Sequence, residues 1–204
     1  MARESRPLPQ TTSEVDGDDW DGRTLTGDTY DGVLFREVDM TELVSSGSTF
    51  TGCVFRDVRF NASRHTGSAF LNCAFVQSSF FDARFEGCKM TGSWFDRCTF
   101  TSFAVEGGDW SFVGLAGADL GKASFTGARM READLTGAKA AGATLRECDL
   151  TGAWFHNADL ARADLRGSDL ATLDPSVVSL AGARVLWQQA VQVATSIGLD
   201  VVDE

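Results

Sequence analysis

Few side chains in this sequence are equipped for chemistry, and their spacing argues against most of it. The two histidines, His65 and His156, lie far apart, and neither has a second His or Cys at metal-ligand spacing. The five cysteines, Cys53, Cys73, Cys88, Cys98 and Cys148, are separated by multiples of five residues, and no two form a CxxC pair. Placed this way, a free cysteine serves as a small buried apolar residue. Cys53 and Cys73, 20 residues apart, could approach closely enough for a disulfide, which a reducing compartment disfavours. No glycine-rich phosphate loop is present; the glycines recur at one phase, as in Gly22, Gly27 and Gly32, and mark turns. What remains is acidic: Asp119, Asp134, Asp149, Asp159, Asp164, Asp169 and Asp174, all in one phase of a five-residue period. Carboxylates do acid–base work where a cleft shifts their pKa; on a convex surface they offer negative charge to a cationic partner. The expectation is a protein without catalytic residues, metal or cofactor, whose acids recognise another macromolecule.

The elements that position these acids follow from the period itself. Counting every fifth residue from Trp20 to Leu170, 28 of 31 are Leu, Phe, Met, Trp, Tyr or Val; the exceptions are Ser45, His65 and Ala140. Two residues earlier, 26 of 31 are Ala, Ser, Cys, Gly or Val. A helix repeats its apolar face at three and four residues and a strand at two. Period five fits a chain that turns a corner every five residues. Four sides close a coil of about 20 residues, and coils stack at the strand spacing of about 4.8 Å. Nearly eight coils then make a rod on the order of 38 Å long. The large residue fills the interior, the small one points in beside the corner, and the other three positions face out. Internal repetition of this kind decides the architecture, and its ends need caps.

Some positions strain the pattern. Asp18, Arg23 and Asp28 occupy small inward sites, which suggests an irregular first coil acting as a cap. Leu43 is placed to share the inward role of Ser45, and Phe103 to fill space beside the smaller Val105 and Gly108. His65 reads as a polar residue tolerated in a loose coil, without partners. Trp94 and Trp154 fall on outward positions of one face, and Phe81 and Phe112 are also outward; exposed aromatics can anchor an interface.

The net charge of −11 argues against direct binding to nucleic acid or to an anionic membrane. Residues 1–19 hold five acids, two bases, Pro7 and Pro9 and read as a disordered or loosely attached N-terminal arm. Residues 20–173 form the solenoid, and residues 174–204 a C-terminal helix and tail. No segment has the apolar length of a signal peptide core or a membrane span, so a cytoplasmic location is expected. After Asp174-Pro175, the residues Leu186, Ala190, Val193/Ala194 and Ile197 follow helical spacing up to Gly198. Trp187, Val191 and Val193 leave further apolar surface. A helix apolar over much of its girth covers the last coil and still has a face for a second copy. The expected dimer interface comprises Leu186, Trp187, Ala190, Val191, Ala194 and Ile197.

The motifs Ala118-Asp119-Leu120, Ala133-Asp134-Leu135, Ala158-Asp159-Leu160 and Ala163-Asp164-Leu165 resemble the Ala-(Asp/Asn)-Leu-X-X unit of the pentapeptide-repeat family. Cys148-Asp149-Leu150 and Ser168-Asp169-Leu170 are close variants. The resemblance implies a right-handed quadrilateral β-helix. The uninterrupted coil followed by Leu186-Trp187-Gln188-Gln189-Ala190 is similar to the MfpA/Qnr fluoroquinolone-resistance group of that family. That implies a homodimer joined end to end through C-terminal helices, which mimics duplex DNA, binds the DNA saddle of DNA gyrase, and inhibits the enzyme or protects it from fluoroquinolones. A general interaction scaffold and immunity to a gyrase-targeting toxin are the alternative readings. Residues 20–174 carry only −6 of the net charge, so mimicry would depend on a local acidic patch. Asp at this position also has a structural use, since it can bond the turn backbone.

Overall fold

The computed structural model describes residues 6–202. The five-residue period appears as a four-faced parallel β-solenoid, in which every strand pairs with the residue 20 positions on, as in Phe35 opposite Phe55 and Phe55 opposite Phe75. One face stacks β1 (Ser13–Asp16), β4 (Val33–Arg36), β7 (Val54–Arg56), β10 (Ala74–Val76) and β12 (Trp94–Asp96). The next stacks seven strands: β2 (Thr24–Thr26), β5 (Val44–Ser46), β8 (Arg64–Thr66), β11 (Arg84–Glu86), β13 (Ala104–Glu106), β14 (Ser124–Thr126) and β15 (Thr144–Arg146). A third begins with β3 (Thr29–Asp31), β6 (Thr49–Thr51) and β9 (Ala69–Leu71). The fourth is carried by single bridges, Asp19 to Asp39 to Arg59 to Ser79 and onward. Bridges continue the first three faces to the C-terminal coils, ending at Asp164 with Arg184. Paired backbone therefore extends beyond residue 173, the boundary expected from the fading pattern.

The large residues of each face stack through the interior. Phe35, Phe55, Phe75 and Phe95 form one column with ring separations of 4.9, 4.8 and 4.7 Å, the strand spacing itself. The small sites beside them are set by a recurring bond. A thiol or hydroxyl there reaches the carbonyl 23 residues earlier: Cys73 Sγ to Phe50 O at 3.4 Å, Ser93 Oγ to Phe70 O at 2.8 Å, Ser168 Oγ to Leu145 O at 2.7 Å. All five cysteines are free thiols. Burial pushes Cys88 up to about 11 and Cys98 up to about 12, which keeps these two thiols protonated and unreactive; Cys53, hydrogen-bonded by the Cys73 side chain, is shifted down instead.

Most corners pass through a left-handed residue, glycine or not: Gly52 has φ +57° and Glu37 φ +55°. Gly108 is exceptional, because it sits at a small inward site with φ +83°. A Cβ there would lie 2.1 Å from the carbonyl oxygen of Cys88, so no other residue fits. The neighbouring Phe103 is buried against Phe80, Phe85 and Phe125, filling the coil as its size suggests.

Several expectations need correction. The first coil is regular, not irregular. Asp18, Arg23 and Asp28 are exposed because no coil lies beneath a terminal corner, and Arg23 lies over the Trp20 ring at 4.4 Å. The arm is shorter than expected: residues 13–16 are β1, in parallel register with β4. His65 has partners. Its Nδ1 lies 2.7 Å from Ser45 Oγ and its Nε2 lies 3.1 Å from Ser63 Oγ. Two of the three exceptions to the large-residue rule, 20 residues apart, thus satisfy each other. The helix α1 (Trp187–Ser196) also turns differently from its expected face. Val193, which the spacing placed with Ala194 on the covering face and which also counted among the surplus apolar residues, packs partly on the core together with Val185, and Gln189 is the buried residue between them. Its Nε2 donates to the carbonyls of Leu165 and Ser168, both at 2.7 Å, and its Oε1 accepts from Leu186 N at 2.7 Å and Gly167 N at 3.2 Å. One amide satisfies backbone groups that the last coil would otherwise leave open. Polar type hid Gln189 from an apolar-pattern reading. No helix among the described residues is long and apolar enough to cross a membrane.

Candidate partner-binding surface

The seven aspartates stand on the outside of the rod, at the position just before each interior residue, but not on one stripe. Asp119 and Asp159 share a face, with Lys139 between them. Asp149 follows Arg129 and Asp109 on another, and the 20-residue register puts Asp169 next in that column. Asp134 lies on the face of β12, where Trp154 follows it. Asp164 lies on the seven-stranded face between Thr144 and Arg184. The register places Asp174 two coils beyond Asp134.

All seven also work as turn formers. In each, a carboxylate oxygen accepts the N–H two residues on: Gly121 for Asp119 at 3.3 Å, Thr136 for Asp134 at 3.0 Å, Thr151 for Asp149 at 3.2 Å and Ala161 for Asp159 at 3.0 Å. The same bond joins Arg166 to Asp164 at 3.4 Å, Ala171 to Asp169 at 2.9 Å and Ser176 to Asp174 at 2.8 Å. The Asp of the motif is therefore a structural part of the corner as well as a surface charge.

Their charges differ in availability. Asp164 is held by Arg166, with Nη2 at 2.6 Å and Nε at 2.8 Å, and the arginine draws its carboxyl down to about 2. Asp149 is paired with Arg131 at 2.5 Å. Asp119, Asp134, Asp159, Asp169 and Asp174 have no ion-pair partner among the described residues. Thr151 Oγ1 lies 2.6 Å from Asp149 and 3.1 Å from Asp169, tying two acids of one face together. The column Lys89, Asp109, Arg129, Asp149 alternates in sign along a shallow groove of about 660 Å³, and beyond it the register places Asp169, which has no ion-pair partner among the described residues.

Beside those coils, α1 presents apolar surface. Trp187 is 73% exposed and Ile197 57%, and Leu186 is exposed too; Ala190, Val191 and Ala194 are half-buried. Trp154, Phe81 and Phe112 are exposed on the solenoid itself, while Trp94 is half-buried. Among the described residues, no group of three His, Cys, Asp or Glu side chains could hold a metal ion.

Residues 78–155 match the family model described as a pentapeptide repeat region. No curated protein sequence matches the chain. Among solved structures, a trypsin-treated variant of QnrB1, a plasmid-mediated fluoroquinolone resistance protein, is 21% identical with a TM-score of 0.50, covering 93% of this chain and 99% of that one. A second trypsin-treated QnrB1 variant is 23% identical with a TM-score of 0.50, covering 95% and 99%. At this identity the likeness is one of fold. The matched repeat region lies within a five-residue register that runs in one phase from Trp20 to Leu170, and the chain shares its parallel β-solenoid fold with QnrB1.

Proposed function

We propose that this protein is a DNA-mimicking ligand of DNA gyrase that inhibits the enzyme, protects it from fluoroquinolones, or both, and that it acts as a homodimer. The observation that carries the reading is the coincidence, at one end of the rod, of unpaired surface aspartates and a helix with exposed apolar side chains. An end-to-end dimer through α1 would bring Asp159, Asp169 and Asp174 of both copies toward its centre, where a two-fold-symmetric enzyme would bind. A duplex carries one charge per about 1.7 Å of axis, far more than this rod, so the contact is local and charge-steered. The shared fold with a plasmid-mediated fluoroquinolone resistance protein supports the same reading.

Supercoiling and cleavage assays with purified protein, with and without a fluoroquinolone, test it. Inhibition or drug protection at micromolar protein or below is expected; no effect on gyrase from a matched host would refute it. The triple variant Asp159→Asn, Asp169→Asn, Asp174→Asn keeps the side-chain acceptor that each corner uses and removes three charges. Its gyrase effect should fall about tenfold, equivalent to about 1.4 kcal/mol, with little change in melting temperature. Charge reversal at these sites would remove the turn bonds as well and confound binding with stability. For the dimer, Trp187→Glu should sediment as a monomer where wild type sediments as a dimer. A monomeric wild type at micromolar concentration would end the end-to-end model. The exposed Trp154, Phe81 and Phe112 favour a second reading, an interaction scaffold for another partner; a negative gyrase assay would direct attention there. Immunity to a gyrase-targeting toxin would use the same contacts as drug protection.

A further inference from the structure

Outward positions of a solenoid have no coil above them, so a buried outward side chain must be covered by something lying on the face. On the face of β1, β4, β7, β10 and β12 the outward residues include Leu34, Val54, Ala74, Val76, Trp94 and Ala116, an apolar strip along the rod. The other faces carry Thr, Ser, Asp, Arg and Lys at most of these places. Val54 is only 2% exposed, Ala74 0% and Val76 5%, whereas Val44, outward on the neighbouring face, is 43% exposed.

The N-terminal segment is at hand at both ends of this strip. Thr12 N donates to Gly32 O at 2.7 Å, and a Cβ built on Gly32 would lie 3.4 Å from Gln10 O. Four coils further along the rod, a Cβ on Gly114 would lie 3.3 Å from Arg6 Nη1 and 2.8 Å from Trp94 Cβ. Pro7 and Pro9 restrict Arg6 and Leu8 to extended backbone. Four residues of polyproline II advance about 12 Å, between two and three coil spacings, and the long Arg6 side chain spans the rest. The segment therefore runs along the rod axis, across the strands, over Val54, Ala74 and Val76.

We propose that this face is a binding surface for an extended, proline-bounded apolar peptide, and that residues 6–12 of the chain itself occupy it as a strap. Pro9, half-buried, and the covered part of Leu8, which stays 41% exposed, supply apolar contact, the prolines lower the entropy lost on docking, and the absence of a side chain at Gly114 leaves room for the Arg6 guanidinium beside Trp94. The surface is separate from the acidic C-terminal coils and does not depend on the gyrase reading. Any partner of this face would have to displace the strap.

Methyl NMR of the full chain with a soluble gadolinium chelate tests the proposal. In wild type, the Val54 and Val76 methyls should be as protected as those of the interior Val38 and Val58, with Val44 strongly relaxed. In the full-length variant Pro7→Gly, Leu8→Asp, Pro9→Gly, relaxation at Val54 and Val76 should rise several-fold toward that of Val44. Unchanged protection of Val38 and Val58 would show that the solenoid is intact. Wild-type Val54 and Val76 relaxed like Val44 would overturn the proposal, as would protection that survives in the variant.

Discussion

Phe75→Asp is expected to abolish the folded state. Phe75 is fully buried between Phe55 and Phe95, with ring separations of 4.8 and 4.7 Å, and meets Phe80 edge-on at 5.6 Å. Removing such a ring costs roughly 3–5 kcal/mol, and an unpaired carboxyl group in its place adds several more. A typical domain has only about 5–15 kcal/mol to lose. Because each coil touches only its neighbours, a charged gap would also separate the N-terminal coils from the C-terminal ones. Circular dichroism and thermal melting should show an unfolded or aggregated protein. Phe81→Asp is the matched control. Phe81 is six residues away but 54% exposed on an outward site, and its replacement should leave the melting temperature within a few degrees. Equal melting of Phe75→Asp and wild type would disprove the inward assignment.

The second large effect is a pH dependence located at His65. The ring is fully enclosed, stacks on Phe85 at 4.4 Å and meets Phe70 edge-on at 5.4 Å. Its hydrogen bonds form one consistent chain. Ser63 Oγ donates to Phe60 O at 2.7 Å and so accepts from His65 Nε2–H; Nδ1 accepts from Ser45 Oγ, which lies 2.9 Å from Ser68 Oγ. This chain suits a neutral ring; an imidazolium would need Ser45 to turn and donate to Ser68, and Ser68 to Thr66 O, so it is chiefly burial away from water that selects the neutral form. Burial, with a smaller contribution from the Arg64 charge, pushes the pKa down to about 3. The unfolded chain titrates near 6.5 and takes up a proton that the folded chain refuses. Stability is therefore complete above about pH 6.5 and falls as the pH drops toward 3. At about 1.4 kcal/mol per pH unit, the loss is on the order of 4 kcal/mol. Denaturant titrations of wild type and His65→Leu at pH 7 and pH 4 isolate this contribution, because carboxylates titrate in both proteins. The variant should lose clearly less stability between the two pH values; equal losses would contradict a neutral, buried His65. Ser63 keeps Phe60 O and Ser45 keeps Ser68 as partners, so the substitution leaves neither serine bare.

The architecture was legible in the sequence because one constraint repeats along it. Each large residue at fives and each small residue two before it answers to the same interior, so the five-residue spacing specifies coil length, inward positions and corner glycines. The acidic positions were legible for the same reason. What only the tertiary structure decided are relations between positions 18 to 24 residues apart, where stacking, not local pattern, sets the neighbours. Ser45 and His65 look like two separate faults in the repeat until a 20-residue register makes them partners. Gln189 looks like a polar break in an apolar helix until its amide meets the open carbonyls of Leu165 and Ser168. The aspartates form one class in sequence, but stacking divides them among four faces and neutralises Asp149 and Asp164 while leaving Asp159, Asp169 and Asp174 without ion pairs. The arm reads as solvated because its composition is polar and proline-rich; the apolar strip beneath it is assembled from residues in successive coils and exists only once the chain has wound.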